Sequence, residues 1–204
     1  LESQGYQTVA FSSGYRATSL DWVDDYRQAI FPGTTWLERL VIDTSLLALW
    51  QDVALKLGAA DEYPGYQAHR EHILMLLDSL PSIASQPGPK FVFAHIISPH
   101  PPFIFDAQGQ PLSPGYPFTL LDGNAFPGSP GEYEKSYAAQ IAYLNRRVIE
   151  MVRGILENSA APPVIILQAD HGPGSRFNWS VPEEPGLHER LGILNAYHLP
   201  GVEA

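Results

Sequence analysis

The stretch VIILQADHG, Val164–Gly172, joins an apolar run to an acid, an imidazole and a glycine. Continuous apolar runs of this length are typical of strands that are buried on both faces, as in parallel sheets. A second such run, KFVFAHII, spans Lys90–Ile97 and lies between proline-rich segments. We therefore predict two buried strands, each followed directly by residues that can carry chemistry.

Helical patterns separate these runs. Ser129-Pro130-Gly131-Glu132 has Ser at the N-cap, Pro at N1 and Glu at N3, and predicts a helix that ends near Asn158. Two further helices are predicted over Thr35–Leu57 and Tyr66–Leu80, and two further strands over Gln7–Ser12 and Leu191–Tyr197. Strands alternating with helices predict an α/β fold with a mostly parallel sheet and helices on both faces.

The composition is that of a folded domain with a sizeable core. The 204 residues are 45% hydrophobic and 17% charged, which argues against intrinsic disorder. Lys and Arg total 12 against 22 Asp and Glu, a net charge of −10, so we expect no nucleic-acid partner. The absence of cysteine excludes thiol catalysis, disulfides and thiolate metal ligands.

Asp170 and His171 are the first candidate site, because ligands bind beyond the carboxyl ends of strands in such sheets. A carboxylate beside an imidazole suits a divalent cation, Zn or Mn better than Ca. Neighbouring side chains on a strand point to opposite faces, so both reach one ion only if the chain turns. Gly172-Pro173-Gly174 makes that turn feasible. The alternative is an Asp that caps the next loop beside a surface histidine.

His100 is the second candidate, in SPHPP after the other strand. Three prolines stiffen the backbone around this imidazole, which suits a group that contacts an anionic substrate or transfers a proton. The alternative is a rigid surface turn that contains a histidine. Within the strand itself, His95 is interpreted as a satisfied core histidine rather than a ligand.

The remaining signals are weaker. His69 and His72 lack the His-Glu-x-x-His spacing and are expected on a solvated helix face. His188 precedes the last predicted strand and could approach the site. Gly-x-Ser-x-Gly does not occur, and no Ser or Thr is visibly paired with a base, so the sequence offers no nucleophile.

Three segments together resemble a known family: FVFAHIISPHPPFIFD (Phe91–Asp106), VIILQADHG (Val164–Gly172) and RLGILNAYHLPG (Arg190–Gly201). They are similar to the sulfatase-like branch of the alkaline phosphatase superfamily, and above all to bacterial membrane-anchored members related to lipoteichoic acid synthase and phosphoethanolamine transferases. The opening GYQTVAFSSGY resembles the segment that follows the nucleophile region in these proteins. The resemblance covers most of the chain in order.

The resemblance implies an alkaline-phosphatase-like fold for residues 1–204, as one sulfatase-like domain that lacks its N-terminal, nucleophile-bearing part. It implies that Asp170 and His171 bind a divalent metal ion and that His100 contacts the transferred phosphate or sulfate. Arg190 matches the family's basic residue before the last strand only loosely. The family's reaction is displacement at phosphorus or sulfur by a metal-activated Thr, Ser or formylglycine.

The function implied is that of a metal-dependent hydrolase or phospho-group transferase acting on phosphate or sulfate esters. Because the nucleophile and an acidic metal ligand lie upstream in the family, this chain alone is expected to be inactive. The resemblance also implies a position on the extracytoplasmic face of the cell membrane, through segments outside this chain. The alternative is a catalytically inactive extracytoplasmic binding or scaffolding domain that keeps the fold, with the apolar stripe Trp36–Leu57 as a partner surface.

Overall fold

The computed structural model describes residues 1–28, 50, 53, 54, 56, 57, 63, 65–183 and 185–202. The helix predicted over Thr35–Leu57 and the apolar stripe within it lie almost entirely outside these residues. The chain divides into two compact units. The first contains Leu1–Leu76, Gly88–Ile97 and Pro111–Thr119, and the second contains Leu77–Pro87, Ser98–Gln110 and Leu120–Ala204.

The first unit is built on a three-stranded parallel sheet. Its strands are β1 (Gln7–Phe11), β2 (Asp25–Arg27) and β3 (Lys90–Phe93), in the order β2-β1-β3. The central strand β1 is buried from Thr8 to Phe11, because it is paired on both edges. The strand predicted to reach Ile97 stops at Phe93, where its pairing with β1 ends opposite Ala10.

Helix α1 (Tyr66–Ala84) begins where the sequence predicts but continues past Leu80, with Pro81 inside it. His72 is 1% exposed, so the expectation that it lies on a solvated face is wrong. It shares its buried face with Ile73 and Leu76, which lie one and four residues further along the helix. The apolar periodicity of α1 therefore includes a histidine in the core.

His72 makes the stability of the fold sensitive to mild acid. Burial lowers the pKa of His72 below its ordinary value of 6.5, against a smaller opposing effect of the Ser12 backbone. Protonation therefore favours the unfolded chain, and stability present above pH 6.5 is lost as the pH falls from there through the lowered pKa. We expect urea midpoints to fall more between pH 7.5 and pH 5.5 in the wild type than in His72→Gln.

His188→Gln is the control, because His188 is exposed. It should keep the pH dependence of the wild type. Equal pH dependence in the wild type and in His72→Gln would contradict the prediction.

The second unit contains α2 (Pro130–Asn158), which confirms the helix predicted from its cap. The Ser129 side chain accepts a hydrogen bond from the Glu132 N–H, and the Glu132 carboxylate accepts one from the Ser129 N–H, as in a capping box. On the buried face, the Gln140 carbonyl accepts hydrogen bonds from the Ile104 and Phe105 N–H groups. The helix thereby fixes the backbone that follows the His100 loop.

Strands β4 (Ile165–Gln168) and β5 (Asn195–His198) form an antiparallel pair in the second unit. Helix α3 (Gly186–Leu191) ends at Leu191, where the last strand was predicted to begin, and that strand begins instead at Asn195. The strand predicted over Val164–Ala169 is confirmed as β4, but its predicted burial is wrong, since Ile166 is 58% exposed in this two-stranded sheet.

The fold is therefore mixed α/β, with a parallel sheet in the first unit and an antiparallel pair in the second. Within the described part of the chain, none of the helices is both long and apolar enough to cross a bilayer.

Candidate functional site

The three residues singled out from the sequence lie together in the second unit. The imidazole rings of His100 and His171 are 6.0 Å apart between centroids, at an interplanar angle of 62°. Asp170 Oδ2 lies 3.6 Å from His171 Nε2. Residues that follow two separate apolar runs are thus brought into one cluster.

The turn after β4 makes this possible. The His171 N–H donates to Asp170 Oδ1 at 3.0 Å, and the Gly172 N–H donates to the Arg190 carbonyl at 2.7 Å. A Cβ on Gly172 would lie 2.2 Å from the Glu189 carbonyl oxygen, so only glycine fits against α3 here. Close packing of the turn on α3 therefore directs Asp170 and His171 toward the same region.

His100 is oriented by its own loop. Its Nδ1 lies 2.6 Å from the Pro101 carbonyl oxygen, which can only accept, so Nδ1 carries the proton. Its Nε2 lies 3.9 Å from Asp122 Oδ2, which is beyond hydrogen-bond distance. The His100 and His171 side chains are partly buried, whereas Asp170 is 70% exposed.

A buried ion pair beneath the cluster was not predicted from the sequence. Arg190 on α3 donates through Nη1 to Asp122 Oδ2, and both side chains are 10% exposed or less. Burial alone would raise the pKa of Asp122, but hydrogen bonds from Gly123, Arg190 and Tyr133, with the nearby His100, outweigh it and lower the pKa. Asp122 is therefore a carboxylate at neutral pH.

Aromatic side chains enclose this pair. The Arg190 guanidinium carbon lies 5.5 Å from the Phe177 ring centroid and 5.4 Å from the Trp179 ring centroid, within cation–π range. The Tyr133 hydroxyl accepts a hydrogen bond from the Gly174 N–H at 2.9 Å. Burial, together with Asp122, keeps the pKa of Tyr133 above its ordinary value, so this hydroxyl stays protonated.

Other histidines lie elsewhere. His95 belongs to the first unit, where its Nδ1 is 2.7 Å from Thr18 Oγ1, so it has a hydrogen-bond partner but is only partly buried. Thr18 Oγ1 is in turn 2.8 Å from Ser13 Oγ. No sequence pattern predicts this pairing between a hydroxyl and an imidazole. His188 lies on α3 with an exposed side chain.

The donor set fits part of a metal shell. Asp170 Oδ2 and His171 Nε2 are an oxygen and a nitrogen close enough together to contact one Zn or Mn ion. Across the described ranges, no group of three His, Asp or Glu residues is placed to hold an ion. These two residues would therefore supply two ligands, and a complete shell needs others.

Comparisons of this chain with models of protein families, with curated proteins and with solved structures found no significant match.

Proposed function

We propose that this chain is part of a metal-dependent hydrolase or phospho-group transferase that acts on phosphate or sulfate esters. The observation that carries the proposal is the cluster of His100, Asp170 and His171. His100 and Asp170 are 70 positions apart, each lies in a segment that resembles the same family, and the His100 and His171 rings lie 6.0 Å apart between centroids. Two unrelated surface turns would give no reason for this convergence.

In the proposal, Asp170 and His171 bind the metal ion, which when bound stabilises the nucleophile and the charge that develops on the transferred group. His100 presents Nε2 toward the cluster, because Nδ1 is occupied by the Pro101 carbonyl. In the imidazolium form, with a second proton on Nε2, it donates a hydrogen bond to an oxygen of the phosphate or sulfate group or transfers that proton to it. The resemblance assigns the nucleophile and the remaining ligands to sequence upstream of this part of the domain.

The proposal extends to the fold. It takes the α/β architecture to be alkaline-phosphatase-like, with a mostly parallel sheet and helices on both faces. It takes the protein to act on the extracytoplasmic side of a membrane, as the resemblance implies.

The proposal is tested by ester turnover in the full-length protein. The substrates are p-nitrophenyl phosphate, bis(p-nitrophenyl) phosphate and p-nitrophenyl sulfate, each assayed with added Mn or Zn. We expect His100→Ala to lower kcat/KM by about 10²–10⁴, the usual contribution of a positioned acid or base. Asp170→Ala should lower kcat/KM further than a mutation of a residue that only orients a metal ligand, which typically costs about 10–100-fold.

His198→Ala is the matched control, because this imidazole is exposed at the end of β5. It should retain wild-type turnover. Full activity after both His100→Ala and Asp170→Ala would show that the site has been misassigned.

The scaffolding domain remains the second candidate, and one contact favours it. His171 Nε2 already has a protein partner, Arg190 Nη2 at 3.1 Å. A domain that retains the fold without the reaction would keep such a contact permanently. It would bind no stoichiometric metal and would have a defined partner in pull-downs.

A further inference from the structure

The Arg190 guanidinium contacts three groups of the site at once. Nη1 donates to Asp122 Oδ2 and lies 3.3 Å from the Gly172 carbonyl oxygen, and Nη2 lies 3.1 Å from His171 Nε2. Arg190 is 9% exposed, so these contacts are made away from bulk water. A planar guanidinium can span three partners in this way, whereas an ammonium cannot.

The contacts of His171 define its tautomer. The carbonyl of Gly172, 2.9 Å from Nδ1, can only accept, so Nδ1 carries a proton. A guanidinium can only donate, so Nε2 must be the nitrogen with the free lone pair. The Nε2–H tautomer would place an N–H against the Arg190 N–H groups.

We propose that Arg190 is a positioning residue that fixes the tautomer of His171, with the hydrogen on Nδ1 and the lone pair on Nε2. That lone pair is the one beside Asp170, whose Oδ2 lies 3.6 Å away. Arg190 thus keeps the imidazole in the only state in which Nε2 can become a metal ligand. The proposal rests on the proposed function only in naming His171 a ligand; the tautomer is measured separately.

The surroundings of Arg190 hold its guanidinium in position against His171. Asp122 binds Nη1, and the rings of Phe177 and Trp179 lie within cation–π distance of the guanidinium carbon. Trp179 is itself fixed, because its Nε1–H donates to the Asp122 carbonyl at 3.0 Å.

The test is a two-bond ¹H–¹⁵N correlation spectrum of the imidazoles in metal-free protein at pH 7.5. Loss of signals in His171→Gln assigns the residue. We expect wild-type His171 to show a protonated Nδ1 and an unprotonated Nε2. In Arg190→Lys, whose single ammonium cannot reach both Asp122 and His171, the two nitrogen shifts should move toward each other as tautomers mix.

Arg176→Lys is the matched control, since Arg176 pairs with Glu134 on the surface of the same unit. It should leave the His171 pattern unchanged. A protonated Nε2 in the wild type would overturn the proposal without any variant, so the test stands even where Arg190→Lys fails to fold. An unchanged His171 pattern in folded Arg190→Lys would overturn it as well.

A separate measurement distinguishes failure of the proposed function from failure of the role proposed for Arg190. Zn added to the wild type reports the ligand role of His171 through the Nε2 shift. A correct tautomer that does not respond to Zn would count against the proposed function and leave the role of Arg190 intact.

Discussion

Gly172→Ala is expected to lose about 3 kcal/mol of stability, at the upper end of the usual cost of overpacking. The new Cβ would lie 2.2 Å from the Glu189 carbonyl oxygen and 2.4 Å from that of Gly192. Both atoms belong to the backbone at the end of α3, so no flexible side chain can move aside. Either the Asp170–His171 turn or α3 must shift, and the candidate site is lost with it. Urea unfolding measures the stability change.

Gly131→Ala is the control for this substitution. A Cβ at Gly131 meets nothing within 4 Å, and the residue lies in the first turn of α2. Alanine there should stabilise the protein by about 0.4–1 kcal/mol, because it restricts the unfolded chain. A Gly172→Ala protein as stable as the wild type would show that the turn does not pack on α3 as described.

Asp122→Leu is expected to cost about 3–5 kcal/mol, the range for removing one partner of a buried ion pair. The substitution leaves the Arg190 guanidinium buried without its carboxylate, beside two aromatic rings. The same change removes the carboxylate whose Oδ2 lies 3.9 Å from His100 Nε2. Urea or thermal unfolding measures the loss.

A double-mutant cycle separates charge from packing at this pair. Asp122→Leu combined with Arg190→Met should be more stable than Asp122→Leu alone, because no unpaired charge remains in the interior. Asp78→Ala removes one of two carboxylate partners of Arg147, at a site where Asp78 is 66% exposed, and should cost at most about 1 kcal/mol. Equal losses in Asp122→Leu and Asp78→Ala would contradict the buried position of the first pair.

Features that depend on residues close together in the sequence were predicted correctly. The start of α2 follows from Ser129, Pro130 and Glu132, whose interactions are made within one turn, and the helix begins at Pro130 as expected. The core of β1 follows from its apolar residues. Strand ends depend instead on the partner strand, and the early end of β3 at Phe93 reflects where β1 stops pairing.

The site was predictable only where it lies beside an apolar run. His100, Asp170 and His171 each follow such a run, and their residue types suggest their chemistry. Asp122 lies in a loop without periodicity, and its partner Arg190 is 68 residues away, so the ion pair has no sequence signature. The only sequence observation that concerned Arg190 was its loose match to a basic residue before the last strand in the family that the sequence resembles.

The antiparallel pairing of β4 and β5 was also not predictable from the two runs. Both segments are continuous apolar runs, which are typical of strands in parallel sheets, so they predicted the wrong direction for this pair. The connection between them contains only the six-residue helix α3 besides loops.

Metal binding is the most direct test of the central claim, that Asp170 and His171 are ligands at an ester-transfer site. Mn and Zn are titrated by calorimetry into the full-length protein and into Asp170→Ala, His171→Ala and His198→Ala. The account predicts one stoichiometric site in the wild type and in His198→Ala, weakened more than about 100-fold in the other two variants. Equal binding by all four proteins, or no stoichiometric binding by the wild type, would contradict it.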